Sequence, residues 1–121
     1  MKWWNDLWLN ESFATYVSYL CMHVDPNLRK QSPHLWCDLL QIKDWAYSFD
    51  NLASTHPIMK NAVNTDMADD MVNGITYGKG SSYLKQLYHL IGNDTFSQGC
   101  KNYFNNFKWK NTELMDFLGA L

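Results

Sequence analysis

Apolar residues recur at helical spacing along most of this chain, and turn residues mark the breaks between the runs. Asn5 or Asp6 is placed to cap a first helix from about Leu7 to His23, with Asp25-Pro26-Asn27 ending it. Trp4, Leu7, Glu11 and Ala14 share one face of that helix, so the Glu11 carboxylate is expected to point inward with its apolar neighbours. Ser32 as cap and Pro33 at the first helical position open a second helix. Leu35, Trp36, Leu39, Leu40, Ile42 and Ala46 carry it to about Phe49.

Between Asp50 and Asn73 the period is lost. Ser54 to Ile58 reads as extended chain, because the residue before Pro57 is pushed out of the helical region. Asn64-Thr65-Asp66 suits the cap of a short helical turn. The segment from Gly74 to Ser82 is punctuated by glycines and reads as a loop. It leads into a helix carrying Tyr83, Leu84, Leu87, Tyr88, Leu90 and Ile91, closed by Gly92. Asp94 is placed to cap the next helix, whose apolar side holds Phe96, Cys100, Tyr103, Phe104 and Phe107, and Asn111-Thr112 to start a last one. The expected fold class is all-α, in one domain over residues 1–121, with one irregular stretch of about twenty residues, long enough to suspect function.

Composition narrows the function classes. Hydrophobic residues make up 46% of the 121 and aromatics 16%, ample for a packed core. A formal charge of -2 leaves no basic footprint, so nucleic acid is not an expected partner. No apolar run approaches the roughly 20 residues of a membrane span, and no charged segment followed by an apolar one opens the chain. Cys21, Cys37 and Cys100 are odd in number and form no C-x-x-C pair, so buried, reduced thiols are expected. That leans towards a reducing compartment such as the cytoplasm.

Two features could carry chemistry. Glu11 stands among Trp4, Leu7, Trp8, Leu9 and Phe13, and an unpaired buried carboxylate costs several kcal/mol, so it needs a cation. From the residues alone a salt-bridged or capping glutamate meets that need as well as a metal does. Gly78-Lys79-Gly80-Ser81 does not satisfy the phosphate-loop pattern G-x-x-x-x-G-K-[ST]. His23, His34, His56 and His89 are scattered, with no H-E-x-x-H among them, and each reads as structural or solvated rather than as a metal ligand. Tyr77, between glycines, reads in the same terms as a packed anchor.

Three stretches together resemble a known family. Trp4 to Ala14 closely resembles the W-x-D-L-W-L-N-E-G-F-A segment of the gluzincin aminopeptidases, the aminopeptidase N and puromycin-sensitive aminopeptidase type. Ala46 to Ile58 looks like their segment ending in S-H-P-I, and Ile75 to Gly80 like I-[ST]-Y-x-K-G. Their order and separation also fit, so the resemblance covers essentially the whole chain.

The resemblance implies the helical part of a thermolysin-like, zinc-dependent catalytic domain, with Zn2+ as cofactor and peptides as substrates. Glu11 would be the third zinc ligand, and Tyr77 would stabilise the transition state. Asp6 and Asn10 would help to orient the ligands, although helix capping also accounts for Asp6. The H-E-x-x-H of the family would lie upstream of Met1, which then looks like an internal methionine. The upstream part of the same domain is thus an expected partner, and the chain alone is expected to be inactive. Trp3, Trp4 and Trp8 would pack on that missing part. A cytosolic enzyme and an anchored ectoenzyme would share this segment.

Two positions depart from the family pattern: Ser12 replaces glycine, and Val72-Asn73 replaces Phe-Asp. Asn73 is expected to weaken the positioning of the Tyr77 loop. Lys79 is given no catalytic role, and His56 is expected to tie down its loop through a backbone hydrogen bond. The competing expectation is a helical binding or scaffold protein that kept the fold and lost the chemistry, with no exposed apolar face.

Overall fold

A computed structural model describes residues 1–121 and contains helices and loops with no strand. Helix α1 spans Leu7–Val24 and is preceded by a 3-10 turn at Trp4–Asp6. It is followed by α2 (Pro26–Gln31), α3 (Leu35–Asp50) and the short α4 (Thr65–Asp69). A π-helical turn at Ile75–Lys79 then runs without a break into α5 (Gly80–Ile91). Helix α6 covers Asn93–Phe107 and α7 covers Leu114–Leu118.

The four long helices lie where the apolar period places them, and their ends differ. Asp25 does more than end α1: its Oδ1 accepts the N–H groups of Asn27 and Leu28 at 2.8 and 3.1 Å and so starts α2, with Pro26 in its first turn. Ser32 and Pro33 lie outside α3, which begins after His34 without a side-chain cap. Asp94 stands in the first turn of α6, where the helix dipole favours a carboxylate, while Gly92 (φ 83) occupies the cap position. Asn64 does cap α4, accepting from the Met67 N–H at 2.9 Å. The last helix starts later than expected, at Leu114. There the Glu113 N–H donates to the Asp116 carboxylate at 2.9 Å, one half of a capping box.

Helix α1 is the hub. Its Trp8, Leu9 and Tyr16 form the core with Leu39 of α3, Leu84 of α5, Phe96 of α6 and Phe117 of α7. The packing is largely aromatic and edge-to-face: Phe13 meets Phe117 at 5.5 Å between ring centres, and Tyr88 meets Phe96 at 5.4 Å. A smaller cluster of Leu7, Ala62, Ala68 and Met71 lies beneath Trp4.

The three tryptophans therefore behave differently from one another. Trp8 is buried within this chain, and Trp4 is half-buried on the small cluster. Trp3 keeps half its surface exposed and donates its indole N–H to the Ala62 carbonyl at 2.6 Å. The cysteines also differ from expectation. Cys21 and Cys37 are exposed, and only Cys100 is half-buried, with burial pushing its thiol pKa up.

Candidate active site

Glu11 and Tyr77 are 66 positions apart in sequence and face each other across the seam between α1 and the π-helical turn. The face of α1 that carries Glu11 is graded: Leu7 is buried, Glu11 half-buried and Ala14 exposed. The carboxylate thus sits at the margin of the core, not inside it. Burial holds the Tyr77 phenol above its ordinary pKa, and the neighbouring Glu11 carboxylate adds to the effect. The phenol accordingly stays protonated, and a hydrogen-bond donor, over a wider pH range than a free tyrosine.

Glu11 has no cation from this chain. The ion pairs present are Lys2 with Glu113 and Lys79 with Asp50. What Glu11 does have is an amide: Asn10 Nδ2 donates to its Oε1 at 3.3 Å. Asp6 takes another direction. Its buried Oδ2 accepts the Leu114 N–H at 3.3 Å, its Oδ1 has no partner, and its side chain does not cap α1. Asp6 and Asn10 do share a cavity of about 130 Å³ with Leu9, Phe13 and Phe117. Of the two, only Asn10 touches Glu11.

As a metal ligand set, the carboxylate fits one place and no more. It is half-buried, oriented by an amide and free of competing cations, as a metal-binding carboxylate should be. No group of three or more His, Cys, Asp or Glu side chains gathers around it or elsewhere in the chain.

The turn that presents Tyr77 is held from three sides. From α1, the fully buried Ser12 hydroxyl donates to the Thr76 carbonyl at 2.5 Å. From the N-terminal side, Asn73 Oδ1 accepts the Ile75 N–H at 2.9 Å, while the Asn73 carbonyl accepts the Tyr77 N–H at 3.2 Å. From the end of α3, Asp50 clamps Lys79, with Nζ 2.9 Å from each carboxylate oxygen and the Thr55 hydroxyl donating at 2.8 Å. The bonds from Lys79 and Thr55 hold the Asp50 carboxyl below its usual pKa. Trp45 of α3 leans on the Tyr77 ring with centres 6.3 Å apart.

Close approach of the backbones makes these ties possible. A Cβ at Gly78 would strike the Ile42 carbonyl of α3, and one at Gly80 would strike the Ser12 hydroxyl.

The Peptidase family M1 domain matches residues 1–121. The chain belongs to this family. It is 49% identical over 124 residues to the Aminopeptidase N of Streptomyces lividans, a match covering all of this chain and 14% of that protein. It is 36% identical to Probable aminopeptidase 1 of Saccharolobus solfataricus and 35% identical to human Glutamyl aminopeptidase, again along its whole length. The chain spans 15% and 12% of those two proteins. Its fold is the all-α helical part of the M1 peptidase domain.

Within that family the two departures from pattern carry structural work. Ser12 is the link from α1 to the Tyr77 turn. Asn73, expected to loosen the turn, instead anchors it through side chain and backbone alike. The predicted Tyr77 loop is itself helical. His56 does bind backbone as expected, with Nδ1 2.7 Å from the Pro57 carbonyl oxygen, and it also reaches Asn73. Nothing in the chain's periodicity announces the Ser12 link, because its partner is a backbone carbonyl 64 positions away.

Proposed function

We propose that this chain is the helical segment of a zinc-dependent aminopeptidase that removes N-terminal residues from peptides. One observation carries the reading: Glu11, with no cation of its own, faces the phenol of Tyr77 in a chain of the M1 family. Glu11 would be one zinc ligand, oriented by Asn10. Asp6, with one buried oxygen unpaired, would accept a hydrogen bond from a ligand outside this chain. The chemistry supplied by zinc when bound is Lewis-acid polarisation of the scissile carbonyl.

The work of this chain's own residues is positional and electrostatic. Tyr77 keeps its proton because its pKa is raised, and it donates that O–H to the oxyanion that forms on the carbonyl. A single donor of this kind lowers the barrier by about 2.7–4 kcal/mol. Ser12, Asn73 and the Asp50–Lys79 pair hold the turn so that the phenol need not reorganise as charge develops.

A chimera tests it: this chain replaces the matching segment of the Streptomyces lividans Aminopeptidase N. The chimera is expected to bind zinc and to hydrolyse aminoacyl-p-nitroanilides. Glu11→Ala should lose the metal, while Tyr77→Phe should keep it and lower kcat by about 100-fold or more. Full zinc occupancy and activity in Glu11→Ala would sink the proposal.

A further inference from the structure

His56 and Asn73 form a pair whose chemistry is set by the hydrogen bonds each makes elsewhere. His56 Nδ1 lies 2.7 Å from the Pro57 carbonyl oxygen, an acceptor only, so Nδ1 must carry the proton. Its Nε2 lies 2.9 Å from Asn73 Nδ2. Asn73 Oδ1 is taken by the Ile75 N–H and its Nδ2 also reaches the Asp70 carbonyl at 2.9 Å, so the group facing the ring is the NH2. The neutral ring therefore accepts from Asn73. The same Asn73 receives the Ile75 N–H on its side chain and the Tyr77 N–H on its backbone carbonyl.

We propose that His56 is a positioning residue for Tyr77, acting through Asn73, and that it does so only as the neutral Nδ1–H tautomer. The consequence for catalysis rests on the reading of Tyr77 as the oxyanion donor; the geometry does not. A second proton on the ring would set one N–H donor against another and release the Asn73 amide. Asn73 is 9% exposed, so losing the ring leaves one of its two amide N–H groups unpaired in a buried position while the other stays on the Asp70 carbonyl. The charged group that bears on the ring is Asp50, itself clamped by Lys79, and Asp70 offers its carbonyl. Aspartate, the residue that the family pattern prefers at 73, would reverse the relationship, since a carboxylate accepts from the doubly protonated ring.

The test uses the 121-residue chain, labelled with 15N. Long-range ring correlations should show the Nδ1–H tautomer of His56. His56→Ala should speed hydrogen exchange at the Ile75 and Tyr77 amides about tenfold and leave α1 and α6 unchanged. His56→Gln, whose side-chain oxygen can accept from Asn73, should recover most of the protection. Lowering the pH should weaken protection at both amides in the natural chain and strengthen it in Asn73→Asp. In the chimera, His56→Ala should lower kcat about tenfold with KM and zinc content unchanged. An Nε2–H tautomer, unchanged exchange in His56→Ala, or the same pH response in Asn73→Asp overturns the inference. An unmodified chimera that hydrolyses nothing counts against the functional reading alone, and the exchange data still decide this one.

Discussion

Ser12 donates its hydroxyl to the carbonyl of Thr76, one residue from Glu11 on one side and one from Tyr77 on the other. This bond ties the backbone beside Glu11 to the backbone beside Tyr77, the two groups proposed to act together. Ser12→Ala leaves the buried Thr76 carbonyl without that donor and should cost about 1–3 kcal/mol in urea unfolding. Gly80→Ala should cost about 1–3 kcal/mol by crowding Ser12, and less in a Ser12→Gly background, where the obstructing atoms are gone. Strict additivity of the two changes would show that the residues do not meet.

The phenol of Tyr77 should titrate above the ordinary tyrosine range, read as the ultraviolet difference between the natural chain and Tyr77→Phe. Glu11→Gln removes the neighbouring charge and should lower that pKa only part of the way, because burial is the larger cause. A full return to the ordinary value would assign the shift to Glu11 instead.

The Asp50 carboxyl has its folded-state pKa depressed, by the Lys79 bond first and the Thr55 bond second. Its contribution to stability is therefore complete above the ordinary carboxylate pKa and fades as pH falls through the depressed value. The gap in Tm between the natural chain and Asp50→Asn should shrink on acidification below the ordinary aspartate range. A gap that widens there would contradict the assignment.

The 121 residues contain no H-E-x-x-H and bring no three ligating side chains together. Purified alone, the chain should hold zinc well below one equivalent by elemental analysis and leave aminoacyl-p-nitroanilides intact. Stoichiometric zinc with turnover would mean that a ligand set exists other than the one proposed.

Much of the fold is legible in the period of apolar residues. Helices α1, α3, α5 and α6 follow from it because α3, α5 and α6 each bury apolar residues against α1. The π-helical turn is hidden for a physical reason. Gly74 and Gly80 suggest flexible chain, yet both are ordinary right-handed helical residues with φ of -56 and -65. The missing side chain at Gly74, Gly78 and Gly80 serves close packing against α3 and Ser12. Helix α2 is hidden because Asp25 both ends one helix and caps another. Glu11 and Tyr77 are picked out by the motifs around them. The roles of Ser12 and Asn73 are not, since one looks like a neutral departure and the other like a weakness until their backbone partners are seen.

The π-helical turn has one more consequence. It joins α5 with no intervening loop, so Tyr77 and the core residue Leu84 ride on one continuous rod. The wider turn shifts the phase of everything before it relative to everything after it. Each α-helical residue turns the rod by about 100°. Deleting one residue here would restore ordinary winding and swing the phenol away from Glu11 while Leu84 stays in the core. The direction of the Tyr77 ring and the burial of α5 can thus be adjusted separately, as with a coupling that lets two shafts be clocked independently.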